Sequence, residues 1–486
     1  MKVIRDLAKQ RKLEVYLVGG FLRDHILGSS KTDFDFAVSR GAVQLARLFS
    51  GKIKGAYILL DDQRGCARVC KKIKGELYTF DFADFRAKTF KDDLGHRDFT
   101  INTLSLDLLS LEEQTTVDEA LVDLKRGLKD IKEKKIKMVS VRAFREDPLR
   151  MLRAFSLKAA WDLKIEPETL ERIKKDKDLM RGVSYERIRD EMFKILAAPK
   201  GAHVLKDMDR CGLLDQVIPQ IRVMYTCQQG TYHHLDVWPH SLETVVQVEG
   251  VFKQFEGHEE INAYLDETFA ANRTRRVLIK LACLLHDIGK PDTRRTEDGR
   301  VLFHGHEHVG AQIVRSIAKM MKISIKERYA LEAMVRWHLR PGYLSNFKNP
   351  SQRAIYRYFR DTHEEAVSIL LLSLADQRST RGPATTEYDQ KHHEEICLRL
   401  MGEYFDRKKQ QPFTRLINGD DLIRRLKLKP SPLFNIILTE IEEKQSLGEI
   451  KTKKEALAKA EEIAARHPPS QKTTRSTRRG QPRKAG

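Results

Sequence analysis

Apolar and polar positions follow two different periods along this chain, and the change falls near residue 140. Before it, short apolar or β-branched runs stand at residues 15–18, 34–38, 57–60 and 77–85, separated by polar turns and short helical stretches. Such runs predict strands in a mixed α/β domain. After it, apolar residues recur at three- and four-residue spacing over 142–163, 166–177 and 185–197, the period of an amphipathic helix. A histidine-rich helical block follows over 232–380, then a further helical segment over 405–465. From Arg466 the chain carries seven Lys or Arg and no acid. That end predicts disorder, either as a solubilising tail or as a loose contact with nucleic acid. No repeat of solenoid period is present. The expected organisation is an α/β head over 1–130, then all-α neck and body over 131–230, a histidine-rich domain over 231–400, a helical tail over 401–465 and a basic end over 466–486.

Composition narrows the class. The 486 residues are 41% apolar and 33% charged, enough for several cores and too apolar for general disorder. Lys and Arg number 89 against 69 Asp and Glu, a net +20. That surplus suits a polyanion, nucleic acid first and an anionic membrane surface second. No apolar run approaches the roughly 18 to 20 residues that cross a bilayer, and the N-terminal stretch lacks the apolar core of a signal peptide. Six cysteines, with Cys66 and Cys70 the sole close pair, read as reduced thiols of a cytoplasmic protein.

The chemistry concentrates first at Gly19-Gly20-Phe21-Leu22-Arg23-Asp24, followed by Asp33-Phe34-Asp35. A glycine pair after an apolar strand lets backbone approach a phosphate. On a strand, Asp33 and Asp35 share one face while Phe34 and Phe36 take the other. Adjacent carboxylates repel unless a cation lies between them, and Mg²⁺ favours a few carboxylates plus phosphate oxygens. Asp81, on the run 77–85, offers a third acid. Three acids around two ions would suit activation of a hydroxyl and stabilisation of a leaving pyrophosphate. A solvated turn is the ordinary alternative for an isolated Asp-x-Asp.

The order GGxxRDxxLG, then DxD, resembles the signature of the class II tRNA nucleotidyltransferase/poly(A) polymerase family, whose head has a polymerase β-like nucleotidyltransferase fold. The likeness continues at His96-Arg97-Asp98-Phe99-Thr100-Ile101-Asn102-Thr103, similar to the family's RRDFTINA, with His96 for the first arginine and Thr103 for alanine. Gly127 to Asp130 is similar to the hinge between head and neck, and Glu146-Asp147-Pro148-Leu149-Arg150 to the family's EDxxR. Tyr185 to Glu191 and Gly212-Leu213-Leu214 extend the likeness to about residue 220. The resemblance implies that Arg97 and Asp98 position ribose and phosphates, with Asn102 also nucleotide-binding, that Gly19, Gly20, Arg23 and Asp24 shape a phosphate loop, and that Asp33 and Asp35 are catalytic and hold Mg²⁺, to which the strand pattern adds Asp81 as a catalytic third acid. It implies that Asp147 and Arg150 select the base. A carboxylate accepts from the exocyclic amine of cytosine or adenine, and a guanidinium donates to the neighbouring ring nitrogen and to cytosine O2. Uracil and guanine present the opposite order. A plain intrahelical ion pair is the alternative for that spacing alone.

The histidine block has His240, then His286-Asp287 after an apolar run, then His306, His338 and Asp376. Imidazoles and carboxylates suit Mg²⁺ or a divalent transition metal. The order resembles the HD phosphohydrolase superfamily. It implies His240, His286, Asp287 and Asp376 as ligands, with His306 and His338 completing a second metal site or acting as acid or base; metal-activated water would hydrolyse phosphoesters. His233, His234, His304 and His308 are expected at the surface or around the site, and His392 and His393 exposed. Arg424, Arg425, Lys427 and Lys429 form a candidate phosphate-contacting patch, in a segment similar to the family's tRNA-gripping tail.

The expected function is template-independent transfer of CMP or AMP from CTP or ATP to the 3′ end of tRNA, without a membrane partner. The sequence leaves open a poly(A) polymerase, a CC-only or A-only enzyme, an enzyme acting chiefly through HD phosphohydrolysis, and a non-enzymatic RNA binder.

Overall fold

The computed structural model describes residues 1–467 except 30, 112–118, 231–233, 271–272, 384 and 411–413. His233 and the basic end from residue 468 therefore lie outside the described residues. Seven strands form the head sheet: β1 (Val15–Val18), β2 (Asp33–Val38), β3 (Ala56–Asp61), β4 (Cys66–Ile73), β5 (Glu76–Asp84), β6 (Ser105–Asp107) and β7 (Leu121–Val122). Their order is β3-β4-β5-β2-β1-β6-β7. β2 and β5 run parallel, and the other neighbours are antiparallel.

Register explains how the head builds both a core and a site. Phe36 sits beside Phe82 and Phe34 beside Phe80, with ring centroids 4.9 and 5.3 Å apart. Phe49, from the helix Ala42–Ile53, meets Phe80 edge-on at 5.1 Å. Each buried ring contributes about 1.5–3 kcal/mol. The side chains between these rings point the other way. Across that face Val18, Asp35, Asp81 and Arg68 stand in one row.

The expected helix over 142–163 is two helices, Ala143–Glu146 and Leu149–Trp161. The cause is Pro148, which disfavours helical geometry in the residue before it; Asp147 is extended at φ −150°, ψ 101°. The helices Pro167–Asp176 and Tyr185–Ala197 form where their periodicity predicts.

The chain divides into two compact units, Met1–His338 with Leu371–Gln390, and Leu339–Leu370 with the chain from Lys391 on. In the first, the helix Arg275–Leu285 buries nearly every residue because ten of its eleven positions face core; it leads directly into His286 and Asp287. In the second, Ile417, Leu422, Ile437, Ile441, Ala456 and Ala460 form one core. His393, expected to be exposed, is buried against Cys397, and His392 is half-buried, its Nε2 3.1 Å from the Phe347 carbonyl. All six cysteines are free. Among the described residues no helix is long and apolar enough to cross a membrane.

Candidate functional site

A cavity of about 280 Å³ opens over the carboxylate row, lined by Asp35, Asp81, Arg86, Arg97, Asp98, Asp147, Arg150 and Arg153 among others. The head supplies the carboxylates Asp35 and Asp81, and the helical segment after residue 140 supplies the roof. Asp35 takes a raised pKa, from desolvation at the foot of the cavity and then from the neighbouring Asp81 carboxylate, against the pull of Arg97 and Arg153. Asp33 lies one turn of the pleat away and accepts from the Thr79 hydroxyl. Gly19 has φ +84°, and a Cβ there would sit 3.2 Å from Asp35 Oδ2 and 3.4 Å from Arg97 Nη1. Glycine is required twice over, by backbone angle and by space. Arg97 is half-buried, and its desolvation lowers its pKa, with Asp93 and Asp35 acting in the opposite direction.

Asp147 and Arg150 both face this cavity but do not pair with each other. Asp147 Oδ2 accepts from Arg187 Nη2 at 2.7 Å and Oδ1 from the Leu149 amide at 3.2 Å. Arg150 donates to the carbonyls of Ala143 and Arg97, at 3.1 and 3.4 Å, and to that of His96, and lies 3.5 Å from Glu146. Three backbone acceptors thus fix the guanidinium plane, leaving its remaining N–H groups for a ligand.

The other residues expected to touch nucleotide are mostly bound to one another. Asp98 accepts from Arg153 Nε and Nη2, both at 2.9 Å, from Asn102 Nδ2 at 2.9 Å and from the Phe99 amide at 2.8 Å. Burial pushes its pKa up, yet Arg153 and these donors hold it below the usual range. Asn102 Oδ1 in turn accepts from Arg23 Nη1 at 2.6 Å, and Arg23 and Lys31 bind the buried Asp24. Arg23, Asp24 and Asn102 therefore brace the glycine turn from behind, outside the cavity wall. Sequence reasoning missed Arg153 and Arg86. Arg153 had a signal: it lies three residues after Arg150, on the same helical face.

The histidine residues meet in a second centre, buried except at Asp376. His240 Nε2 lies 2.9 Å from Asp376 Oδ1 and 3.6 Å from Asp287 Oδ2; His286 Nε2 lies 3.2 and 3.6 Å from Asp287 Oδ2 and Asp376 Oδ1. On the other side, His306 Nε2 is 3.4 Å from Asp287 Oδ1, and His338 Nε2 is 3.3 Å from His306 Nε2. The two overlapping trios share Asp287. The Nδ1 atoms of His286, His306 and His338 are held by the carbonyls of Cys283, Phe303 and Val335, at 2.9, 2.8 and 2.8 Å. Each ring thus directs its Nε2 inward, where metal ligation requires a lone pair once any proton there has left. His286 Nε2 is buried without a well-formed hydrogen bond. The donor set and this orphaned atom fit a divalent metal. Burial lowers the His286 pKa, but Asp287 and Asp376 outweigh it and raise it to about 10; burial and the neighbouring His306 and His286 lower His338 to about 3. Lys290 Nζ, 2.7 Å from Asp287 Oδ2, completes the charge balance. His304 and His308 are exposed, as expected.

Comparison with known proteins agrees with this geometry. Residues 15–137 match the poly A polymerase head domain, 162–224 the "Probable RNA and SrmB- binding site of polymerase A", and 237–381 the HD domain. The A-adding tRNA nucleotidyltransferase of Deinococcus radiodurans is 31% identical over 466 residues, covering 93% of this chain and 96% of that one. The CC-adding tRNA nucleotidyltransferase of Thermus thermophilus is 27% identical over 457 residues, 92% of each. A solved apo CCA-adding enzyme shares the fold with a TM-score of 0.64 at 20% identity, over 96% of this chain and 93% of that one. The Thermotoga maritima CCA-adding enzyme complexed with tRNA does so with a TM-score of 0.58 at 20% identity, over 96% and 95%. The protein is thus a nucleotidyltransferase head joined to an HD domain. It belongs to the tRNA nucleotidyltransferase/poly(A) polymerase family.

Proposed function

We propose that the chain adds CMP or AMP from CTP or ATP to the 3′ end of tRNA without a nucleic-acid template, and that its HD domain hydrolyses phosphoesters. The observation that carries the first part is the shared cavity, in which Asp35 faces the same space as Asp147 and Arg150. Asp33 and Asp35 would hold Mg²⁺, with Asp81 beside them. Bound there, the ion would offset the charge of the triphosphate and of the departing pyrophosphate. Arg97, against Asp35 and the Gly19 turn, meets phosphate oxygens. Asp98 works through Arg153 and Asn102 as a positioning residue. Asp147 accepts from the exocyclic amine of cytosine or adenine, while Arg150 donates to the adjacent ring nitrogen. The groups that read the base belong to the protein, so no template strand is needed.

In the second centre His240, His286, Asp287 and Asp376 would hold a divalent ion, Mg²⁺ or a transition metal, and Asp287 with His306 and His338 would frame a second position. Such an ion would supply an activated water for attack on a phosphoester. The net charge of +20 supports an RNA partner, and tRNA maturation agrees with a cytoplasmic location.

The test uses purified protein, Mg²⁺ and tRNA transcripts ending at the discriminator base, at CC and at CCA, with CTP, ATP or both, read at single-nucleotide resolution. Addition that stops at CCA, at CC or after one A supports the reading and separates its variants. An unbounded A ladder makes the protein a poly(A) polymerase. Alanine at Asp35 is expected to abolish incorporation while RNA binding persists, and retained activity would refute the catalytic assignment.

A further inference from the structure

One member of the carboxylate row has no part in the chemistry above. Arg68, on β4, stands directly across from Asp81, and Asp81 stands beside Asp35. The row therefore runs guanidinium, carboxylate, carboxylate. Arg68 Nε lies 2.6 Å from Asp81 Oδ1 and Nη2 lies 2.7 Å from Oδ2. This is a fork in which each oxygen of Asp81 receives its own charged donor. The guanidinium stays protonated at every working pH, so no pH change releases it. Asp35 is treated differently: its carboxylate opens to the cavity, and among the described residues none donates a hydrogen bond to it. Asp33 takes only the neutral Thr79 hydroxyl. Three acids share the face, but only two offer unneutralised charge.

We propose that Arg68 is a positioning residue that withholds Asp81 from metal, so that Asp33 and Asp35 alone draw the divalent ion into the nucleotide-free head. Asp81 then acts as an anchored counter-charge, not as a third ligand. Its negative charge is spent on Arg68, and an ion approaching its oxygens would have to displace a bidentate cation. The proposal rests on the reading of the head as a metal-dependent centre.

The test is Mn²⁺ titration of the full chain without nucleotide, following free Mn²⁺ by its electron paramagnetic resonance signal. The HD centre is common to all variants and cancels in the comparison. Removing the whole fork, in Arg68→Met with Asp81→Asn, is expected to leave the head's dissociation constant within about twofold, because the two charges already cancel. Arg68→Met alone is expected to tighten it by about tenfold, since a bare carboxylate joins the pair. Asp81→Asn alone should weaken it, because it leaves the Arg68 cation unpaired beside Asp35. Weakening below the parent in the double variant, or no change on Arg68→Met, overturns the proposal. If Arg68→Met does not fold by far-ultraviolet circular dichroism, Arg68→Lys replaces it: partial tightening supports the assignment and none overturns it. Asp35→Asn separates the two levels. If it leaves the isotherm unchanged, the metal reading of the head fails, and this proposal with it; if it removes the head class of sites, the Asp81 comparison decides alone.

Discussion

Replacing Asp147 by Asn should erase much of the preference for CTP over UTP, and the expected size follows from what already holds the carboxylate. In the parent, Arg187 donates to Oδ2 at 2.7 Å and the Leu149 amide to Oδ1 at 3.2 Å. An asparagine oxygen must stay with the charged, shorter donor, so the new NH₂ group lies on the Leu149 side. Cytosine then loses a charge-assisted hydrogen bond, a loss of about 1.5–3 kcal/mol. Uracil, whose O4 accepts, loses nothing and gains a donor. The combined change is about 2–3 kcal/mol, or roughly 30- to 150-fold in the ratio of kcat/KM values. Single-turnover addition of CMP and UMP to a tRNA transcript ending at the discriminator base measures it. Arg187 is half exposed, so Arg187→Met, which only loosens the carboxylate, should shift the same ratio by about 0.5–1 kcal/mol. A CTP-to-UTP ratio within twofold of the parent in Asp147→Asn would refute this account of base selection.

Three further outcomes are expected. Metal-free His286 has a pKa raised to about 10 by Asp287 and Asp376 against its burial, so it carries a proton at neutral pH and metal must displace it; titrating metal into weakly buffered protein should release about one proton from this centre, and an acid-free isotherm would contradict it. Glu327 is fully buried, forked by Arg273 at 2.6 and 2.8 Å, and its pKa is lowered, burial being outweighed by Arg273 and Ser324; Glu327→Gln should cost about 3 kcal/mol at neutral pH. A lowered folded pKa gives stability that is present above the unfolded value and lost as pH falls through the folded one, so thermal melts of parent and variant should draw together as pH falls below the ordinary carboxylate range. Pro148→Ala should let the helix run through Asp147, reducing addition at least tenfold while leaving the melting temperature within a few degrees; unchanged activity would show that the helix break is incidental.

The shared face of Asp33 and Asp35 was legible because a strand has a period of two: the two carboxylates must lie together once Phe34 and Phe36 take the other side. Their partner was not. Strand β4 carries Arg68, Cys70, Lys71 and Lys72, with only Ala67 and Val69 facing inward, so its alternation is too faint to separate from a loop. Without β4 the cation opposite Asp81 has no address. The order of His and Asp residues was enough to expect the second centre, since the resemblance is carried by side chains. What turns those imidazoles inward is backbone, the carbonyls of Cys283, Phe303 and Val335, and a carbonyl has no sequence signature. The break before Pro148 is a middle case: the proline is plain in the sequence, but apolar spacing continues across it and suggests one helix. Arg23 and Asp24 were expected to shape a phosphate loop; the hydrogen bond that ties Arg23 to Asn102 joins residues far apart in the chain and has no local signature.

The hydrogen-bonded chain from Arg23 through Asn102 and Asp98 to Arg153 bears on how the enzyme can move. Asp98 belongs to the head and Arg153 to the helix that roofs the cavity. Parting them would strip the buried Asp98 of a cation that is itself partly exposed, so the seam resists opening without being locked. The hinge of the cavity is in effect stitched beside the nucleotide. When successive additions lengthen the acceptor, movement of the RNA end, and of side chains such as Arg187 at the open rim, disturbs this seam less than swinging the two walls apart.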